Sequence, residues 1–167
     1  LRHIGARGRD AKRFELMARG YDEVAARIGD GIVALSDGDI DLLGEDYNTA
    51  IHIRAAPEIV NGAINPELDP TSITQCFRAD QGAAILDDLL TPAALAALRR
   101  TLLESTIWHD FSHIDTFVAS YLEDGLASPL VLQIADELRR ALPDVLGPHP
   151  LSQAWAFKGL ASVGEDP

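Results

Sequence analysis

Apolar side chains recur at helical spacing near the start of the chain, where five of them fall three or four positions apart. These residues are Phe14, Met17, Tyr21, Val24 and Ile28. The spacing places them along one side of a helix and predicts an amphipathic helix over residues 10–28. The Gly29-Asp30-Gly31 run is expected to end that helix.

Polar residues that start helices mark four further positions. Ser36 is a candidate N-cap for a short helix over residues 37–43, with Asp39 completing an Asp version of the capping box. Three other starts place a capping side chain directly before proline, which fits the first helical position: Asp69-Pro70, Thr91-Pro92 and Ser128-Pro129. The first of these helices is expected to run to about residue 78.

The two later helices each show an apolar stripe. The first stripe consists of Leu95, Leu98 and Leu102, opposite a polar face with Arg99, Arg100 and Glu104. The second consists of Val131, Ile134, Leu138 and Leu142, with Pro143 or Gly147 near the helix end. Both stripes predict a face that packs on a core.

Strand signals are weaker. Residues 83–86, after Gly82, and the aromatic segment 153–158 are predicted strands. Residues 108–118 alternate unevenly, and a strand and a loop are both compatible with them. Residues 45–70 are expected to be extended, with turns at the prolines and at Asn61-Gly62. The order favours an α+β fold with helices on a small, mostly antiparallel sheet.

Composition limits the function classes. The 167 residues are 47% hydrophobic and 24% charged, which suits a protein with a core, and the net charge of -12 argues against nucleic-acid or anionic-membrane partners. The first 28 residues instead hold seven Lys and Arg against four Asp and Glu. We therefore predict a separate N-terminal helical connector, residues 1–44, and a second segment, residues 45–167.

Cysteine use and hydropathy bear on location. The chain has one cysteine, Cys76, which excludes an internal disulfide, and no apolar run reaches the roughly 18 residues of a membrane span. A cytoplasmic location is expected. The chain begins with Leu1 and stops at Pro167 shortly after a predicted strand, so we interpret it as part of a longer protein.

The first candidate for chemistry is the triplet His113-Ile114-Asp115. On an extended strand, the side-chain period of two turns His113 and Asp115 to one side, where both could bind a metal. With His149 they would supply the two histidines and one carboxylate that hold non-haem iron, and His109-Asp110 offers spare ligands. The alternative, which we favour, is that these are hydrogen-bonded or solvated turn residues.

Other candidates have a structural interpretation that we prefer. Asp87-Asp88 and Glu123-Asp124 are expected in turns, and Arg99-Arg100 and Arg139-Arg140 on solvated helix faces. We expect Trp108, Trp155 and Cys76 to pack in the core. The motifs G-x-S-x-G, G-x-G-x-x-G and the P-loop do not occur, which removes common hydrolase, dehydrogenase and nucleotidase classes.

The run ILDDLLTPAALAALRRTLLEST and the later segment SYLEDGLASPLVLQIADELRRALPDVLGPHPLSQAWAFK are similar to a known domain. Together they resemble the N-terminal part of a prolyl-hydroxylase-like, 2-oxoglutarate- and Fe(II)-dependent oxygenase domain, of the kind found behind tetratricopeptide repeats in bacterial proteins. The resemblance covers roughly residues 45–158. It implies that the chain is the incomplete first part of a double-stranded β-helix.

The resemblance also implies where the chemistry lies. In this family the H-x-D ligands follow the strand that matches residues 154–158, so His113 and Asp115 come too early to inherit that role. The resemblance thus assigns no catalytic, cofactor-binding or metal-binding residue to this chain, and Fe(II) and 2-oxoglutarate belong to the intact parent. The expected function is that of a scaffold without turnover.

Two alternatives from other classes stay open. The chain could be a non-catalytic, acidic interaction module that binds a protein partner, or itself, through an exposed sheet edge. His109, His113 and nearby carboxylates could also form a metal site unrelated to the family.

Overall fold

The structure, a computed structural model, describes residues 11–29, 33–110 and 117–159. The chain divides into two compact units, Leu1–Thr49 and Ala50–Pro167. Within the described residues, no helix is both long and apolar enough to cross a membrane.

Among the described residues of the first unit, two helices pair with each other, α1 (Ala11–Ile28) and α2 (Asp37–Leu43). Phe14 and Val24 of the predicted stripe are buried, as is Leu43 of α2. The helices approach closely at Gly20, where a Cβ would lie 2.8 Å from the carbonyl oxygen of Leu42. Helix α1 ends as predicted at Gly29, whose φ of +63° suits glycine, while Asp30 and Gly31 lie outside the described residues.

The capping box at the start of α2 is confirmed. Ser36 Oγ accepts the backbone N–H of Asp39 at 3.2 Å, and an Asp39 carboxylate oxygen accepts the backbone N–H of Ser36 at 2.9 Å. Two otherwise unpaired donors of the first turn are thereby satisfied.

In the parts of the second unit that the structure describes there are four helices and two strands. The helices are α3 (Pro70–Ala79), α4 (Pro92–Glu104), α5 (Pro129–Ala141) and the short α6 (Pro143–Leu146). The strands are β1 (Phe117–Tyr121) and β2 (Trp155–Gly159), and a single π-helical turn, Leu122–Leu126, follows β1. This mixture of helices with a small antiparallel sheet agrees with the predicted α+β class.

All three predicted cap-proline starts are confirmed. Asp69 accepts the N–H of Thr71 at 3.0 Å, Thr91 accepts that of Ala94 at 3.3 Å, and Ser128 accepts that of Val131 at 3.3 Å. Each side chain satisfies a donor that the helix itself leaves unpaired.

The core between α4 and α5 uses smaller residues than the leucine stripes suggested. Its fully buried members are Ala56, Ala63, Ala94 and Leu130. The prediction that Leu95 lies on the buried face of α4 was wrong, because Leu95 is 46% exposed. The face turned inward carries Ala94, Ala97, Leu98 and Thr101 instead. Leu142, directly after α5, is buried as expected, while the fully buried Leu130 at the start of α5 was missed.

The extended segment before α3 is held mainly by side chains. Gln133 Oε1 accepts the N–H of Ile59 at 2.7 Å, and Glu137 Oε2 accepts those of Ala63 and Ile64 at 2.8 and 2.9 Å. Helix α5 therefore supplies the hydrogen bonds that a neighbouring strand would otherwise give this segment. The predicted extended course is confirmed, but its partners were not foreseen.

The predicted strand at residues 83–86 was wrong. Gly82 and Asp88, with φ of +91° and +50°, break the extended conformation on either side, and Ile85 is 96% exposed. Backbone pairing occurs a few residues later, where the N–H of Thr91 donates to Ala63 at 2.9 Å. Segments without a covering neighbour gain too little buried surface to form a regular strand.

The sheet consists of β1 and β2 in antiparallel register, with Ala119 opposite Phe157 and Tyr121 opposite Trp155. Strand β2 begins two residues later and ends one residue later than predicted. Of residues 108–118, only Phe117 and Val118 belong to a strand, Asp110 forms a single bridge with Ala119, and 111–116 lie outside the described residues.

Candidate functional site

His113 and Asp115 of the predicted metal triplet lie outside the described residues. The described neighbours His109 and Asp110 precede them, and His149 lies exposed after α6, where its backbone N–H donates to Leu146 at 2.9 Å. Within the described parts of the chain, no group of three or more His, Cys, Asp or Glu side chains is arranged to hold a metal ion.

Asp110 has a partner on the sheet. The hydroxyl of Tyr121 donates to a carboxylate oxygen of Asp110 at 2.7 Å, and the backbones of Asp110 and Ala119 exchange hydrogen bonds of 3.2 and 3.0 Å. The hydrogen bond to Asp110 is the main reason that the pKa of Tyr121 lies above its ordinary value, and burial raises it further. The tyrosine thus stays a neutral donor that fixes the chain before residue 111 to the sheet.

The two faces of the sheet differ. Val118 and Ser120 are buried on one face, and Lys158, opposite Val118, places its ammonium 5.9 Å from the ring centre of Trp108. The other face carries Phe117, the buried Ala119 and Tyr121 of β1 together with Trp155 and Phe157 of β2, and we call Phe117, Trp155 and Phe157 the aromatic face. The alternation of side chains along antiparallel strands assigns each residue to its face.

The aromatic face is open on its β2 side, whereas Phe117 on β1 is half-buried. Trp155 is 51% exposed and Phe157 is 54% exposed. The rings of Phe117 and Phe157 meet edge to face, with centres 4.8 Å apart. Among the described residues, β1 is the only strand that pairs with β2. The expectation that Trp155 packs in the core was therefore wrong, whereas Trp108 is partly buried and donates its indole N–H to Leu102 at 3.1 Å.

The acidic pairs lie in turns. Asp87 and Asp88 form the turn before α4, and the carboxylate of Asp124 accepts the N–H of Tyr121 at 3.2 Å. The structure does not bring the two pairs together in any described hydrogen bond or ion pair. Cys76, expected in the core, is exposed on α3, and the buried side chain of that helix is Thr74.

The arginine pairs behave differently from each other. Arg99 and Arg100 are exposed, as expected. Arg140 is also at the surface and pairs with Asp136 at 2.6 Å, whereas Arg139 is partly buried and donates to the carbonyl of Gly147 at 3.0 Å. Arg139 lines a cavity together with His149. Sequence reasoning missed this difference, which depends on how the chain folds back after α6.

Sequence reasoning also missed Gln133 and Glu137, which lie four residues apart on α5. Gln133 Nε2 donates to Glu137 Oε1 at 2.7 Å and to the carbonyl of Ile59 at 2.9 Å. Burial alone would raise the pKa of Glu137, but the hydrogen bonds from Ile64, Ala63 and Gln133 outweigh it and lower that pKa. A polar pair at positions i and i+4 was the available signal, although many solvated helices carry one.

Comparisons of this chain with protein-family models, with curated proteins and with solved structures found no match.

Proposed function

We propose that this chain is the scaffold part of an oxygenase-like domain and performs no turnover itself. In this proposal the helices α4 and α5 buttress a sheet whose further strands, from the same double-stranded β-helix domain, cover the aromatic face and carry the Fe(II) and 2-oxoglutarate sites. The proposal rests on one observation, the half-exposed Trp155 and Phe157 on a regular strand.

Physical chemistry supports a covered aromatic face in the intact protein. Burying apolar surface contributes about 25 cal/mol per Å², and Trp and Phe are among the side chains with the most surface to bury. Trp155 and Phe157 lie two positions apart on β2 and therefore share one face. Among the described residues, no strand pairs with the outer edge of β2, so the backbone groups of that edge are available for pairing. Strands of the same domain would satisfy both needs.

The absence of turnover is tested by an activity measurement. The 167-residue chain is given Fe(II), 2-oxoglutarate and oxygen, and succinate is measured with and without the metal. We expect no iron-dependent succinate. Iron-dependent release would overturn the proposal, and its loss in His113→Ala would assign the early H-x-D triplet to the site.

The exposure of the aromatic face is tested by fluorescence. In the variant Trp108→Phe only Trp155 remains as a tryptophan, and we expect acrylamide to quench it strongly. A poorly quenched, blue-shifted Trp155 would show that the face is already covered within this chain.

A second candidate function uses the same face differently. In a non-catalytic interaction module the occupant is another protein chain, in the simplest case a second copy. Size-exclusion chromatography with light scattering separates the two candidates. A discrete dimer that Trp155→Ser and Phe157→Ser abolish, while the exposed helical control Leu103→Ser retains it, favours the module. A monomer with a quenchable Trp155 favours the scaffold.

A further inference from the structure

The Asn61-Gly62 pair lies in an exposed turn of the second unit. The turn comprises residues 59–62 and is closed by the hydrogen bond from the Gly62 N–H to the carbonyl of Ile59 at 2.9 Å. Val60 at its tip is 98% exposed, and Asn61 is exposed as well. Water therefore reaches the side-chain amide of Asn61.

An asparagine before glycine is chemically labile. The backbone nitrogen of Gly62 can attack Cγ of Asn61, because glycine has no side chain to hinder the approach. The new N–Cγ bond forms, the bond from Cγ to the amide nitrogen breaks, and ammonia leaves with the Gly62 amide proton. Water then opens the cyclic imide at either carbonyl and yields aspartate or isoaspartate at position 61. Water is the one co-reactant of the reaction.

Helix α5 holds this turn from both ends. At the first end, both amide atoms of Gln133 bond to the backbone of Ile59, at 2.7 and 2.9 Å. At the other end, Glu137 accepts the N–H groups of Ala63 and Ile64 at 2.8 and 2.9 Å. We call these four hydrogen bonds the α5 clamp.

The clamp keeps the attacking nitrogen engaged. The Gly62 N–H donates to Ile59 in the closed turn, so this bond must break before the nitrogen can close a ring with the side chain. Native proteins open locally, by breaking a few hydrogen bonds, more often than they unfold as a whole. The opening that the reaction needs is therefore the one that α5 opposes.

We propose that Asn61 is a site of spontaneous deamidation and isoaspartate formation, and that the α5 clamp sets its rate. Isoaspartate carries the main chain through the former side chain and adds one atom between residues 61 and 62. The inference is independent of the proposed scaffold role, since it concerns α5 and the 59–62 turn rather than the sheet.

The first test uses the parent chain alone. It is incubated in mildly alkaline buffer, once folded and once unfolded in urea, and peptide mass spectrometry follows aspartate and isoaspartate at position 61. We expect conversion in both samples, slower by about tenfold or more in the folded one. No conversion in the folded sample, or equal rates in the two samples, would overturn the proposal.

The other two asparagines of the chain are internal controls. Asn48 precedes the β-branched Thr49, and Asn65 precedes Pro66, which has no N–H to lose. We expect both to convert far more slowly than Asn61 in the unfolded sample. Conversion of all three at one rate would show that the Asn61-Gly62 pair has no special reactivity.

Variants of α5 test the clamp. Glu137→Gln should raise the deamidation rate of the folded chain by about fivefold or more, whereas Asp136→Asn on the same helix should leave it unchanged. In urea all three chains should react equally fast. If circular dichroism shows that Glu137→Gln is unfolded, Gln133→Leu replaces it, since this variant frees Ile59 alone. An unchanged rate in the folded variant would overturn the role of α5.

The modified chain tests the consequence. The extra main-chain atom displaces the N–H groups of Ala63 and Ile64 from Glu137, so we expect isoaspartate to lower the melting temperature. The matched control Asn61→Asp adds the same charge without the extra atom and should melt higher than the isoaspartate fraction purified by chromatography. Equal melting temperatures would show that the clamp tolerates the longer main chain and would overturn this consequence.

Discussion

The carboxylate of Glu137 accepts a hydrogen bond from the backbone N–H of Ala63 at 2.8 Å across 74 positions of sequence. The same carboxylate accepts the N–H of Ile64 and the side-chain amide of Gln133. One helical side chain therefore holds the turn around Gly62 against α5, in the part of the unit where Ala63 is fully buried.

Glu137→Gln should destabilise the second unit. In the glutamine side chain, an NH2 group replaces one of the two acceptor oxygens. A donor then faces either the backbone N–H groups of Ala63 and Ile64 or the side-chain amide of Gln133. Charge-assisted hydrogen bonds contribute about 1.5–3 kcal/mol each, and we expect a loss of about 1–3 kcal/mol in the free energy of unfolding, measured by urea titration. The control Asp136→Asn removes only a surface ion pair and should change it by less than about 0.5 kcal/mol. Equal effects of the two variants would contradict the assigned role.

The contribution of Glu137 should depend on pH. Its pKa is lower in the folded protein than the ordinary value of about 4.3, so the stabilisation is fully present above that ordinary value. It is lost as the pH falls through the lowered folded pKa. The difference in unfolding free energy between the parent and Glu137→Gln should therefore be constant near neutrality and shrink in acid. A difference that grows on acidification would mean that the pKa is raised instead.

Gly125→Ala should destabilise more than Gly82→Ala. Both glycines have positive φ, +106° and +91°, so both substitutions carry a backbone strain of about 1–3 kcal/mol. At position 125 a Cβ would also lie 2.8 Å from Ile53 Cδ1 and 3.0 Å from Ile107 Cγ2, whereas at position 82 the nearest atom is 3.6 Å away. Thermal unfolding of the two variants checks this order. Equal melting temperatures would show that Ile53 moves aside freely.

Tyr121 should titrate above the ordinary tyrosine value of about 10. The difference between the ultraviolet titrations of the parent and Tyr121→Phe isolates its phenol. Asp110→Asn should lower that pKa, because the hydrogen bond to the carboxylate is its main cause. Since the folded pKa is raised, the stabilisation is present below the ordinary value and is lost as the pH rises through the folded one. An unshifted pKa in the parent would place the hydroxyl away from Asp110.

The sequence by itself determined four helix starts and one helix end. Ser36, Asp69, Thr91 and Ser128 each bond to a backbone N–H two or three residues away, so the information needed is contained in a few neighbouring positions. The end of α1 at Gly29 is local in the same way, because only the conformational freedom of one residue decides it.

The tertiary structure decided which faces and segments are covered. Leu95 and Ala94 are neighbouring apolar residues on α4. Ala94 is the one in the core, because α5, Ala56 and Ala63 lie on its side of the helix. Residues 83–86 have a strand's composition, but no neighbouring segment pairs with them among the described residues. The hydrogen bonds of Glu137 to Ala63 and Ile64, and that of Arg139 Nη2 to Gly147, likewise join positions far apart in the chain or around a turn. Such contacts depend on the closure of long loops and on competition among packing partners, which hydrophobic periodicity along one segment does not encode.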